Sequence, residues 1–237
     1  IVMKIKFRCA PELINILPKP ILSTKSLPNW LTNMSSEVLV GDLSSKIRTL
    51  KHCSPFIDSM RSGFLIPLVT DVNYIKGKFK WNWNPGPSSS GPYPSTPLTY
   101  HYPEQAKGSP YFKKDNLIIK FNNFWTIEMD KGYSVLITHP FNRDDLPFRT
   151  LTGLVDVDLY KSNTIQFPAI WIDESFSGIL KKGTPIAQCV PIKRDNLHLE
   201  CKSMTSSQVE EYKKTKEEIN KEPGVYRKKY RAKKTKL

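Results

Sequence analysis

Lys131-Gly132-Tyr133-Ser134-Val135-Leu136-Ile137-Thr138-His139, followed after a loop by Gly153-Leu154-Val155-Asp156-Val157-Asp158, is the text that decides the fold. Tyr133 to His139 reads as a strand, entered through Asp130-Lys131-Gly132, whose residue types favour a turn. Working outward, Leu117 to Phe121 and Phe124 to Glu128 read as two strands upstream. Leu151 to Val157, Thr164 to Ile172 and Pro185 to Ile192 read as strands downstream. Turn residues recur between these runs at short intervals, the rhythm of a sandwich or barrel.

Further out, Lys4 to Cys9 alternates with period two and reads as a strand. Prolines 11, 18, 20 and 28 then break any long helix, so residues 1–53 are expected to wrap a surface. A short helix is expected over 54–63, with Ser54 as cap, Pro55 in the first turn and Gly63 beyond the end. Phe64 to Val69 is an apolar strand in which Pro67 marks an edge or a bulge. Asp71 to Lys76 and Phe79 to Trp83 alternate, and Gly77-Lys78 between them is placed to close a hairpin. Residues 84–97 are a Pro- and Ser-rich loop, with Trp81, Trp83, Tyr93, Tyr100 and Tyr102 in or near it. A β-rich core is thus expected over 54–200. A C-terminal helix and tail follow over 201–237, the helix opening on a Ser207-x-x-Glu210 capping box and running to about 221.

The chain has 237 residues and a formal net charge of +14. At 39% hydrophobic and 24% charged it is globular in composition, which excludes disordered and fibrous classes. No apolar run approaches the roughly 18–20 residues of a membrane helix, so no membrane association is expected. Lys4, Lys6 and Arg8 interrupt the first ten residues, so a signal-peptide core is not expected there either. Residues 226–237 carry seven Lys/Arg and no acid. Arg227, Lys228, Lys229, Arg231, Lys233 and Lys234 are therefore the candidate contacts to nucleic acid or to another acidic surface. Cys9, Cys53, Cys189 and Cys201 form no CxxC pair, and the four histidines are scattered. No metal site is expected, and the cysteines suit buried thiols in a reducing cytoplasm.

Gly153-Leu154-Val155-Asp156, with Asp158 and Tyr160 after it, and Gly183-x-x-Ile186-Ala187-Gln188 resemble motifs of the trimeric dUTP pyrophosphatases and the related dCTP deaminases. The resemblance covers residues 129–194. It implies a dUTPase-like β-clip or jelly-roll-like barrel and a homotrimer. By that resemblance Asp156 would activate a water, with Asp158 beside it, and Tyr160 would pack on a sugar. Gln188 would be largely structural at the ligand site, and Mg²⁺ would accompany a nucleotide if the chain is an enzyme. The family's Arg-Ser-Gly is absent, and Asn142-Arg143-Asp144 stands near its place. The Gly-rich C-terminal arm is replaced by Lys/Arg text. Without those donors little would neutralise a triphosphate.

Taken whole, through Gly63 to Pro67, Pro140 to Arg143, Gly153 to Asp158 and Lys182 to Gln188, the chain is similar to a family of uncharacterised phage and bacterial proteins. The candidate site is therefore Asp156 and Asp158 for catalysis, with Asn142, Arg143, Gly153, Tyr160 and Gln188 for ligand. The expected function is a phage-type accessory or assembly binding protein on a degenerate dUTPase-like scaffold, in the host cytoplasm. Its alternatives are a nucleotide or sugar-nucleotide hydrolase or deaminase using the two aspartates, and a virion structural protein.

Overall fold

The computed structural model describes residues 2–41, 45–84, 94–112 and 118–233. In chain order the elements begin β1 (Lys6–Arg8), β2 (Ile21–Leu22), α1 (Asn29–Asn33), β3 (Glu37–Val40), β4 (Ser45–Arg48) and α2 (Ser54–Met60). Next come β5 (Phe64–Pro67), β6 (Val72–Ile75), β7 (Lys78–Trp81), β8 (Leu98–Tyr100) and β9 (Ile118–Glu128). The rest are β10 (Tyr133–Thr138), β11 (Phe148–Thr150), β12 (Gly153–Val155), β13 (Thr164–Trp171), β14 (Gly178–Leu180), β15 (Pro185–Lys193) and α3 (Ser206–Lys221). The protein is mainly β, its sheets antiparallel and its helices few. Most of the Pro-rich loop and Lys234 lie outside the described residues.

Two units are distinguished, one of residues 1–32 and 58–194, the other of 33–57 and 195–237. In the first, one sheet has the order β1-β9-β13-β11, with β8 sharing the β1 edge of β9, and a second has the order β12-β10-β15-β5-β2. A third, β14-β6-β7, is smaller. Alternation decides which faces are dry. Phe167, Ala169 and Trp171 of β13 are buried at every second position, as are Val135 and Ile137 of β10. They join Phe121, Ile127, Phe148, Ile186 and Ala187 in one cluster shared by both larger sheets. Trp125 and Trp171 are core residues, 4% exposed each.

Several local readings change. The two strands expected over 117–121 and 124–128 are joined, because β9 runs through Asn122-Asn123 as one 11-residue strand. Thr164 faces Thr126 while Gln166 faces Asn122, so β9 carries a bulge there. Asn123 fills the gap: its Oδ1 accepts from Trp125 N at 3.0 Å and its Nδ2 donates to Trp125 O at 2.7 Å. Leu151 to Val157 is not one strand, since the chain leaves one sheet after Thr150 and joins the other at Gly153. The β6–β7 hairpin turns on Lys76-Gly77, both at positive φ, one residue earlier than expected. Pro67 sits opposite Pro185 at a register shift, where a missing N–H is harmless. Glu128 ties β1 to β9 by accepting from Arg8 and Lys6, which hold its carboxyl down to about 2.

In the second unit β3 and β4 form a hairpin, and Thr49 N donates to Ser36 O at 3.0 Å behind it. The capping box of α3 is Thr205 with Gln208, two residues before the expected pair. Gln serves at N3 as well as Glu, which leaves Ser207 inside the helix. A single π-helical turn, Tyr226–Tyr230, follows. No helix among the described residues is long and apolar enough to cross a membrane.

Gly63 marks the closest backbone approach. Its φ is +66°, and a Cβ there would lie 1.9 Å from the carbonyl oxygen of Cys189 on β15. Gly63→Ala combines left-handed strain with a clash against backbone that cannot swing aside. We expect it to cost about 2–3 kcal/mol or more, read as a lower urea midpoint at unchanged slope. An unchanged midpoint would mean the α2–β5 corner is looser than described.

Candidate functional site

The two aspartates lie where β12 ends. Residues 156–160 form a turn, with Leu159 N and Tyr160 N donating to Asp156 O at 3.0 and 2.8 Å. Val157 between them is fully buried, while both aspartates reach one guanidinium. Asp156 and Asp158 therefore share a side without being on a strand. Both meet Arg194, the residue that follows β15. Its Nη1 donates to Asp158 Oδ1 at 2.9 Å, to Asp156 Oδ1 at 3.2 Å, to Ser134 Oγ at 3.1 Å and to Tyr133 O at 3.1 Å. Its Nη2 donates to Asp158 Oδ2 at 2.5 Å.

The remaining partners close the group. Gly132 N donates to Asp158 Oδ2 at 2.9 Å, and Ser134 Oγ donates to Asp156 Oδ1 at 2.6 Å. The Asp158 side chain is only 4% exposed, that of Asp156 51%. The guanidinium, then the Gly132 N–H, hold the Asp158 carboxyl well below the ordinary carboxylate range. Arg194 is pushed up in turn. Arg194 N also donates to Gly132 O at 2.8 Å, so the same residue continues the β10–β15 ladder past its last pair.

Of the other candidates, Gly153 and Tyr160 flank the aspartates, whereas Gln188, Asn142 and Arg143 lie elsewhere. Gln188 faces Thr138, while the residues joined by Arg194 lie beside Tyr133, about 17 Å away along β10. The Gln188 amide is 1% exposed and fully engaged: Phe141 N donates to its Oε1, and its Nε2 donates to Ser59 O and Ser62 O. Asn142 sits at φ 58°, which Asn tolerates, and its Nδ2 donates to Ser59 Oγ at 3.3 Å. Arg143 grips Asp145 through Nε and Nη2, at 2.7 and 2.9 Å. His139 accepts from Thr150 N at Nδ1, so its Nε2 carries the proton given to Arg143 O. Burial pushes this imidazole down. Gly153 has no positive φ and open space at its Cβ position, so backbone freedom does not explain it. Tyr160 lines a cleft of about 540 Å³ with Val155, Asn163, Thr164, Gln166 and Pro94.

Sequence reasoning missed Ser134 and Arg194. Only the register that puts Tyr133 opposite Lys193 brings them to the aspartates, 36 or more residues away from Arg194 in sequence. Among the described residues no group of three or more His, Cys, Asp or Glu is placed to hold a metal ion. Cys189 is buried, which raises its thiol, but Cys53 and Cys201 are exposed, against the expectation of buried thiols. In the tail, Lys229 Nζ donates to Glu218 at 2.8 Å and Lys228 Nζ to Glu222 at 3.4 Å, while Tyr230 bonds Thr215. Its cations are thus partly neutralised by α3. No family model matches this chain, and no curated protein matches it.

A carboxyl held low in the folded state adds stability above its unfolded value near 3.9 and loses it as pH falls through the folded value. The native protein is therefore expected to lose thermal stability steeply below about pH 4. Arg194→Met should lower the midpoint at neutral pH and flatten that acid limb. Parallel acid limbs would show that Arg194 does not set the Asp158 carboxyl.

Proposed function

We propose that this chain is a phage-type accessory or assembly protein that binds rather than turns over its ligand, on a dUTPase-like β scaffold. The carrying observation is that one guanidinium holds both candidate catalytic carboxylates. A general base must be free to take a proton from water near working pH. Asp158 instead receives three N–H donors on two oxygens. Asn142, Arg143 and Gln188, the candidates for gripping ligand, are committed to the protein's own atoms. The group reads as a joint that closes the end of a sheet.

In this proposal the protein acts as a homotrimer in the host cytoplasm, with Arg227, Arg231, Lys233 and Lys234 of the tail reaching nucleic acid or an acidic protein surface. A virion structural role is the nearest relative of this reading, and proteomics of purified particles separates the two. The enzyme alternative keeps one foothold. Asp156 is half exposed and directly follows Val155, which lines the cleft beside Tyr160.

The test is a panel of nucleotides and sugar nucleotides with Mg²⁺, scored for pyrophosphate and ammonia release. No turnover is expected. Turnover abolished by Asp156→Ala would replace this proposal with the enzyme. Truncation after Glu222 is expected to weaken duplex DNA binding and shallow its salt dependence; unchanged binding would remove the tail from the interface.

A further inference from the structure

We infer that the β6–β7 hairpin and the aromatic cleft beside it form a binding site for single-stranded nucleic acid. This deepens the binding proposal by naming a ligand class, and it makes no use of the tail.

The pairing of the small sheet sorts its faces. Val72, Tyr74 and Leu180 are buried, and Phe79 packs on Tyr74 and Trp171. Asn73 faces Lys80 and Ile75 faces Lys78, so these four share the opposite, outer face. Lys76 in the turn joins them around a hollow of about 250 Å³. All three lysines are exposed, and none has an acidic partner among the described residues. The tail differs, since Lys228 and Lys229 already have glutamates. Asn73, which also lines the hollow, has a side-chain oxygen that is buried without a hydrogen-bond partner.

Spacing selects a polymeric anion. Lys78 and Lys80 are two strand residues apart, about 7 Å, so their ammonium groups can lie along the backbone of one strand. The three ammonium groups line one hollow as a row of cations, which suits an anion that repeats along a backbone. β7 is also the edge of its sheet, so a ligand lying across it reaches both faces. On the other side Trp81 lines an open cleft of about 540 Å³ with Tyr100, His101 and Tyr102. Tyr102 is 78% exposed and Tyr100 46%, an arrangement that leaves ring faces for unpaired bases. Thr99 in the same cleft has a buried, unpartnered hydroxyl. Cations on one side of an edge and stacking rings on the other are the two components that single strands need.

The experiment uses the full chain and a labelled oligonucleotide of roughly 20 nucleotides, single-stranded or in duplex, with anisotropy read across salt concentrations. The single strand is expected to bind more tightly than the duplex. Lys76→Gln/Lys78→Gln/Lys80→Gln should reduce the slope of log affinity against log salt by about 2, at about 0.7 per phosphate contact. Tyr102→Ala should weaken the single strand about ten-fold and the duplex little. Truncation after Glu222 should preserve both effects. A native slope in the triple variant, equal binding of duplex, or indifference to Tyr102→Ala would overturn the inference. Loss of single-strand binding on truncation alone would overturn it too and leave the tail as the interface.

Discussion

The ladder between β10 and β15 is closed at both ends by side chains from the β15 segment, and the larger unit is organised around it. At one end Gln188 is buried opposite Thr138 and ties the Phe141 loop to the backbone at the C-terminal end of α2. At the other Arg194 draws in the turn before β10 and the turn after β12. The buried Gln188 amide satisfies backbone groups that would otherwise be left unpaired, a cost of about 1–3 kcal/mol apiece. Between them Cys189 is fully buried, with Gly63 against its carbonyl. Register is therefore set by polar chemistry at the ends as well as by apolar alternation between them.

That constraint bears on function. Text resembling a catalytic motif does not by itself create a catalytic environment. Asp156 and Asp158 converge, as an active pair would, but they converge on a cation supplied by the neighbouring strand. Asn142 and Arg143 lie near the opposite end of the ladder, each bonded to protein atoms. Among the described residues, open clefts lie beside Tyr160, next to Asp156, and along Trp81 and Tyr102.

Much of the β architecture is legible from residues alone. Val135, Ile137, Phe167 and Trp171 declare their faces through period-two burial, and Asp130-Lys131-Gly132 turns as its residue types require. Ser54-Pro55 starts α2 where expected. Illegible features are those set by a partner distant in sequence. Asn122-Asn123 carries turn chemistry, yet Asn123 spends it on a bulge that pairing with β13 imposes. Leu151-Thr152 looks like strand because both flanks are strand, in two different sheets. Arg194 has no local signature, since its role depends on register. The lysines of β7 are plain in the sequence, but their isolation from acids emerges only when the sheet's faces are assigned.

Arg194 and its aspartates thus act as a structural joint in the proposed reading. Amide hydrogen exchange at Gly132, whose N–H donates to Asp158, tests it most directly. In the native protein this turn amide should exchange as slowly as the ladder amides of Val135 and Val190. Asp158→Ala should release it to fast exchange while the amides at the Gln188 end stay protected. Fast exchange of Gly132 in the native protein would contradict the account, because Asp158 would then be free of the joint and available for chemistry.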